Sequence, residues 1–244
     1  MWLCTDGGED MGYGYYGWVI ANDTTIFQKH HGAATGPRDT MESHRAEATG
    51  ALAGLLFLYH YTQYFETNIP IIHHYCDNKE VVNRTKWHQS DRKPNPRRSL
   101  RPNADIHIQI DDLLETSGFE YTIFHVKGHQ KNPAVKTLQS TLNDTADALA
   151  TKHRKIMLKQ HNYRQPILYP AAKSHLIIQN SIVTKSIFNT IVNYSGKHAL
   201  EMYMTQKLHW TPSFLRQIWW HPLQQVLQKL PQNVQLFTLN FLYG

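Results

Sequence analysis

The sequence is poor in cysteine, with only Cys4 and Cys76 in 244 residues. Cys4 precedes Asp6 by two residues, so along a strand both side chains point to the same face, whereas Cys76 directly precedes Asp77 and points the opposite way. If both aspartates face one site, the two cysteines lie on opposite faces of the sheet and cannot be bridged. We therefore predict two free thiols and a reducing, intracellular location (cytoplasm or nucleus) rather than secretion.

Long apolar runs are also missing. The longest stretch, residues 51–61, is too short to cross a bilayer about 30 Å thick, and the chain opens without a signal peptide. We therefore expect no membrane partner. A hydrophobic content of 41% with 18% charged residues is typical of a globular protein that buries a sizeable core. No internal repeat or low-complexity tract stands out in the sequence.

Acidic residues are scarce in the last third of the chain. Residues 159–244 carry eight Lys and Arg but a single acid, a net charge of +7, whereas residues 1–158 carry 17 basic and 18 acidic residues. This asymmetry indicates either a nucleic-acid partner or a solvated basic surface. Residues 84–102 hold seven Lys and Arg, three prolines and one acid. They are typical of a flexible basic loop, for which contact with a nucleic-acid backbone is the functional interpretation.

The residue patterns up to position 159 predict a mixed α/β domain. Aromatic and β-branched residues predict an opening strand at 2–6 and a hairpin formed by 13–21 and 24–31. Apolar residues spaced by three and four predict a helix at 40–61. Further strands are expected at 69–76 and 119–126, a loop at 131–141, and further helices at 79–86, 105–116 and 143–159. A hairpin combined with crossovers predicts a mixed sheet with helices on both faces.

The chain changes character after residue 158. A tight hairpin is expected at 176–184, a helix at 186–208 and a shorter helix at 223–230. We therefore divide the chain into a first domain, residues 1–158, and a basic, mostly helical extension, residues 159–244, to which the sequence assigns no role.

Four carboxylates stand where a metal site would be built. Asp6 and Asp77 end predicted strands, and Glu47 and Asp147 lie in predicted helices. The two strand ends meet at one edge of the sheet if the strands are neighbours. Magnesium prefers hard oxygen ligands of this kind, and two such ions promote an in-line displacement at phosphorus.

Each of these acids alone has an ordinary interpretation. Asp6, before two glycines, is typical of a turn, Glu47 of a solvated helix surface, and Asp77 of a helix N-cap. Asp147 has a rival in Asp144, which lies on nearly the same helical face.

Histidine is abundant, with sixteen residues. The adjacent pairs His30-His31 and His73-His74 would point to opposite faces of a strand, so neither pair is expected to chelate a metal from a strand. His129, in Lys127-Gly128-His129, is by itself a loop residue, but it precedes the last of the four acids.

In this order and spacing the residues resemble type 1 ribonuclease H, the fold also found as the cleavage domain of retroelement (reverse transcriptase) polyproteins. The resemblance covers residues 1 to about 155. It implies a ribonuclease H-like five-stranded mixed sheet flanked by helices, and a hydrolase that cuts the RNA strand of RNA–DNA hybrids with two Mg²⁺ or Mn²⁺ ions. It rests on Thr5-Asp6-Gly7, Arg45-Ala46-Glu47, Cys76-Asp77-Asn78, Lys127-Gly128-His129 and Asn143–Ala150.

The resemblance also implies roles for individual residues, with residues 1–158 as the catalytic domain. The four acids would be metal ligands and, with His129, the catalytic residues, and Asp6 would bridge both ions. A histidine suits proton transfer or product release because its pKa lies near neutral pH. Ser43, one helical turn before Glu47, would hydrogen-bond a 2′-hydroxyl. The expected substrate-binding residues are Gly7, Ser43, Asn78 and Lys127.

Two functions agree with this pattern: a hybrid-cutting enzyme, and a catalytically inactive nucleic-acid-binding domain of the same fold. The presence of all four acids favours the enzyme. An editing exonuclease would want Asp-x-Glu where the chain has Asp6-Gly7-Gly8, a transposase-type site would usually end in glutamate rather than Asp147, and a structural connection domain usually loses acids. We expect a retroelement origin, an RNA–DNA hybrid as substrate, and a reverse transcriptase module outside this chain as a partner.

Overall fold

The chain divides into two compact units, Met1–Ile187 and Phe188–Gly244. The first unit includes residues 163–166 and 181–187, and the proposed division at residue 158 stays a prediction. The computed structural model of the protein describes residues 1–68, 71–90, 101–128, 137–160, 163–166, 176–178, 181–207, 209, 211 and 213.

Five strands of the first unit form one mixed sheet in the order β3-β2-β1-β4-β5. β1 and β2 pair antiparallel, as do β2 and β3, whereas β4 pairs parallel with both β1 and β5. This arrangement confirms the expected five-stranded mixed sheet. The strands are β1 (Trp2–Asp10), β2 (Tyr13–Ala21), β3 (Ile26–Ala33), β4 (Ile71–Cys76) and β5 (Glu120–His125).

Helices cover both faces of this sheet, as expected. The larger core cluster joins Leu3, Ile20 and Ile72 of the sheet to the helices on one face, and a smaller cluster joins Cys4 and Val19 to a single helix on the other. The alternation of strand side chains between faces explains why adjacent residues enter different clusters. The helices on the first face are α1 (Ser43–Phe65), α2 (Lys79–Ser90) and α3 (Ala104–Ser117), and the helix on the second face is α4 (Leu138–Lys159).

The two buried cysteines are free thiols, as expected. Cys4 lies in the cluster beneath α4, and Cys76 lies in the cluster beneath α1, so the sheet separates them. Among the described helices, none is both long and apolar enough to cross a membrane.

Several element boundaries differ from the sequence-based expectation, including the end of β1 and the start of α4. β1 continues through Gly7-Gly8 to Asp10, and the turn falls at Met11-Gly12, where both φ angles are positive (55° and 80°). α4 begins at Leu138, inside the predicted loop 131–141 and five residues before the expected start, because the Thr137 side chain accepts a hydrogen bond from the Ser140 amide (3.2 Å) and caps the helix.

The segments after residue 90 are described in part. α2 extends to Ser90, so the first residues of the predicted basic loop 84–102 are helical, and residues 91–100 lie outside the described residues. The expected hairpin and helix near 180–208 are found as β6 (Ile177–Ile178), β7 (Ser181–Ile182) and α5 (Ile187–Lys207). The helix expected at 223–230 lies outside the described residues.

Candidate active site

Two of the four acids are placed by the pairing of the central strands. The parallel ladder between β1 and β4 pairs residues 2–5 with residues 73–76. Asp6 is the first residue of β1 beyond this ladder, and Asp77 directly follows the last residue of β4. Because the strands are neighbours and run in the same direction, both aspartates lie at one edge of the sheet.

Glu47 reaches this edge because α1 lies very close to β1. A Cβ atom added to Gly7 would come within 2.8 Å of the α1 backbone at Ala46 and Glu47, so a side chain at position 7 would push the helix away. The Glu47 side chain is buried, with 6% of the residue exposed. The Asn78 amide donates a hydrogen bond to its Oε1 (3.1 Å), and the Cys76 thiol donates one to its Oε2 (3.4 Å).

Asp147 comes from the opposite face of the sheet. Asp6 pairs with Gly17 on β2, and a Cβ at Gly17 would collide with the carbonyl of Ala146 in α4. α4 therefore rests directly on the strand next to Asp6, with Asp147 following the contact residue. The Asp147 charge contributes to the raised pKa of Asp6, and the choice of Asp147 over Asp144 stays a prediction.

Burial and neighbouring acids raise the pKa values of Asp6 and Glu47. Burial, followed by repulsion from Asp77, Glu47 and Asp147, raises the pKa of Asp6 to about 8. Burial also raises the pKa of Glu47 to about 8, against the hydrogen bond from Asn78 and with further repulsion from Asp77. Like charges that share a buried site disfavour full ionisation, and a divalent cation between them would remove this cost.

The donor set fits a hard cation. Ligand atoms of Glu47, Cys76 and Asp77 lie within 4.8 Å of one another. Burial raises the pKa of the Cys76 thiol well above its ordinary value, so the thiol stays protonated and donates to Glu47 rather than acting as a thiolate ligand. The remaining donors are carboxylate oxygens, which Mg²⁺ and Mn²⁺ prefer.

The Lys127-Gly128 segment leaves β5 beside the site. The Val126 amide donates to the Cys76 carbonyl (3.0 Å), and a Cβ at Gly128 would collide with Oδ2 of Asp77. Lys127 is exposed next to this contact. His129 lies outside the described residues, so its catalytic role stays a prediction.

Ser43 and Asn78, both expected to bind substrate, differ in whether their side chains already form hydrogen bonds within the protein. Ser43 is exposed in the first turn of α1, which leaves its hydroxyl accessible. The Asn78 side chain bonds the protein at both ends, because it donates to Glu47 and its oxygen accepts from the amides of Glu80 (2.9 Å) and Val81 (3.2 Å). Its role as a substrate contact stays a prediction, and the structure adds a role in positioning Glu47.

Sequence reasoning assigned no role to Arg45, which is 1% exposed. Its guanidinium donates to both carboxylate oxygens of Asp105 (2.9 and 2.8 Å), to Oδ1 of Asn103 (3.2 Å) and to the Thr35 carbonyl. These bonds hold the first turn of α1, and with it Glu47, against the start of α3. The signal that could have found Arg45 is a basic residue two positions before the candidate ligand Glu47, on an otherwise apolar helix.

No family model matches the sequence, and no curated protein does. The chain is similar to the solved structure of LC11-RNase H1 in complex with an RNA/DNA hybrid, with 13% identity over 64% of this chain and 98% of that chain and a TM-score of 0.46. The chain is also similar to the N-terminal RNase H domain of Rv2228c from Mycobacterium tuberculosis, fused to maltose-binding protein. The identity is 19% over 64% of this chain and 94% of that chain, with a TM-score of 0.42. A third similar structure is the foamy viral protease-reverse transcriptase in complex with dsDNA, with 16% identity over 62% of this chain and 91% of that chain and a TM-score of 0.45. The first two are ribonucleases H, the family that the sequence resembles.

Proposed function

We propose that the chain is an endonuclease of retroelement origin that hydrolyses the RNA strand of RNA–DNA hybrids with the help of divalent metal ions. The observation that carries this proposal is the convergence of Asp77, Glu47 and Asp147 on Asp6 at the edge where β4 ends. These four residues are spread over most of the first 150 positions, and an acid cluster of this composition costs stability unless a cation occupies it.

The four acids would hold two Mg²⁺ ions, or Mn²⁺ in their place. Bound there, the ions would supply an activated water and stabilisation of the leaving oxygen in a displacement at phosphorus. Asn78 and Cys76 would keep both oxygens of Glu47 directed into the site. The raised pKa of Asp6 means that a proton leaves this carboxyl when a cation binds.

Ser43 and Lys127 supply the contacts that we assign to substrate. The exposed Ser43 hydroxyl lies one helical turn from Glu47 and would hydrogen-bond a 2′-hydroxyl, the group that distinguishes RNA from DNA. The exposed Lys127 ammonium, beside the Gly128–Asp77 contact, would bind a backbone phosphate. The strand that bears 2′-hydroxyls would therefore be the one that is cut.

Cleavage of labelled duplexes tests this function. The intact chain is incubated with Mg²⁺ and an RNA–DNA hybrid labelled on either strand, beside all-DNA and all-RNA duplexes of the same sequence. We expect the RNA strand of the hybrid to be cut, and cutting to be lost both in Asp77→Asn and on addition of EDTA.

A matched pair of variants sharpens the test within α4. Asp147→Asn should abolish cutting, whereas Asp144→Asn, one turn earlier on the same helix, should retain most of it. Binding of the hybrid without cutting by the wild type would favour the inactive nucleic-acid-binding domain. Equal activity of Asp147→Asn and the wild type would remove Asp147 from the site.

A further inference from the structure

A histidine pair outside the carboxylate site is a second group of metal-ligating side chains. His31 lies on β3 and His153 on α4, and their Nδ1 atoms are 3.2 Å apart. Both residues are half-buried. Neighbouring histidines on one strand are poor chelators, but this pair joins a strand to a helix across 122 positions of sequence.

The pairing follows from the contact that also places Asp147. Asp6 pairs with Gly17, and Gly17 pairs with His31, so the three residues form one row across β1, β2 and β3. α4 rests on the glycine in the middle of this row. Asp147 and His153 are six residues apart, about 9 Å along the helix axis. One end of the row therefore carries carboxylates, and the other end carries imidazoles.

The distance between the two ring nitrogens suits a tetrahedral ion. Two Zn–N bonds of about 2.0–2.1 Å at a tetrahedral angle place the nitrogens roughly 3.3–3.4 Å apart, close to the 3.2 Å observed. Without a metal, one Nδ1–H donates to the other Nδ1. With a metal, both rings carry their proton on Nε2, so the donor ring changes tautomer through solvent and no net proton is released.

The surroundings of the pair disfavour protonation of both rings. Burial, followed by the charges of Lys152 and His30, lowers the pKa of His31. Burial, followed by His31 and His30, lowers the pKa of His153 to about 4, so both rings are neutral at pH 7. Nε2 of His153 lies 3.4 Å from the Tyr163 hydroxyl, which can accept the Nε2–H bond that typically orients a metal-bound imidazole.

We propose that His31 and His153 form a clamp for a borderline transition-metal cation such as Zn²⁺, bound through both Nδ1 atoms with water in the remaining positions. Imidazole ligands suit Zn²⁺, Cu²⁺ and Ni²⁺, whereas Mg²⁺ prefers the carboxylate site. A bound cation ties α4 to β3 and so stabilises the helix that carries Asp147. The clamp does not depend on whether the chain cuts hybrids.

Zinc titration of the intact chain tests the clamp. Excess Mg²⁺ occupies the carboxylates, and Zn²⁺ affinity and the zinc-dependent rise in melting temperature are compared among the wild type, His31→Gln and His153→Gln. The matched control is His30→Gln, because His30 adjoins His31 and its ring stacks on it (centroids 5.8 Å apart) but makes no bond to His153. We expect more than about a tenfold loss of affinity in both clamp variants, since even an outer-shell partner is worth 10–100-fold, and none in His30→Gln.

A second measurement needs no variant. One equivalent of Cu²⁺ added to the isotope-labelled wild type should broaden the backbone amide signals of residues 29–33 and 150–156 first. Broadening that begins at other histidines would overturn the proposal. So would clamp variants that fold and bind Zn²⁺ as tightly as His30→Gln.

Discussion

Two buried ionisable side chains lie two positions apart on α1, in opposite electrostatic surroundings. Arg45 is held by both oxygens of Asp105, by Asn103 and by a backbone carbonyl. Glu47 receives two hydrogen bonds, but its charged neighbour is another acid, Asp77, and its pKa is raised to about 8. The charge of Arg45 is neutralised within the protein, whereas burial and Asp77 disfavour the charged form of Glu47.

This difference separates a structural cluster from the proposed metal site. A buried ion pair with satisfied hydrogen bonds gains nothing from a ligand, and removal of one partner leaves an uncompensated charge. Carboxylates that repel one another destabilise the fold, and they keep a high affinity for a cation. The two clusters should therefore respond to mutation with opposite changes in stability.

Loss of Arg45 should have the largest effect. Arg45→Ala removes the donor to the Asp105 carboxylate and to Oδ1 of Asn103, so the free energy of unfolding should fall by about 3–5 kcal/mol, as for other broken buried pairs. Chemical denaturation measures this. The control is Arg154→Ala, which removes the exposed pair with Asp10 and should change stability little. Equal losses in the two variants would show that burial of Arg45 does not matter.

Neutralising Asp6 should give the opposite change in stability together with a loss of activity. Asp6→Asn removes the acid whose pKa is raised by all three of the others, so the melting temperature without divalent ions should rise. Hybrid cleavage should fall by roughly 100-fold or more, because a catalytic metal contributes several kcal/mol and each 1.36 kcal/mol is tenfold in rate. A variant that is both less stable and inactive would instead place Asp6 among the structural charges.

Asn78 connects the acid cluster to α2, and two substitutions separate its contacts. Asn78→Ser keeps an oxygen that can cap α2 but is too short to hold Glu47, so activity should fall by about 10–100-fold, the usual range for a residue that orients a metal ligand. Asn78→Ala should lose the same activity and some stability as well. Full activity in Asn78→Ser would show that Glu47 is oriented without this bond.

The smallest expected effect is a pH dependence of stability caused by the acid cluster around Asp6. Asp6 and Glu47 have folded-state pKa values of about 8, above the ordinary values of 3.8 and 4.5. Between these limits the folded chain binds more protons than the unfolded chain, so stability without metal falls as the pH rises towards 8. Mg²⁺ should therefore raise the melting temperature more at high pH than at low pH. Asp6→Asn should flatten both trends, and a profile unchanged by that substitution would contradict them.

Local sequence patterns were sufficient for the order and type of the β-strands and α-helices described in the first unit, but they missed the short 3-10 helix Arg38–Thr40. β2 was predicted with its observed bounds, and the strand ends before Asp77 and the helix around Glu47 followed from spacing alone. The end of β1 was wrong, because Gly7-Gly8 is a turn signal by propensity. In the structure Gly7 serves instead as the place where α1 approaches the strand, a requirement that arises only when the helix is packed.

The sequence by itself supplied the candidate residues: four acids at strand ends and on helices, and a thiol directly before one of them. Only the tertiary structure decided which of them meet. Strand register and the close approach of helices to glycines decide three contacts. These are the carboxylate cluster, the hydrogen bond from Asn78 to Glu47 and the contact of His31 with His153. Those distances join residues far apart in the chain, and local periodicity does not encode them.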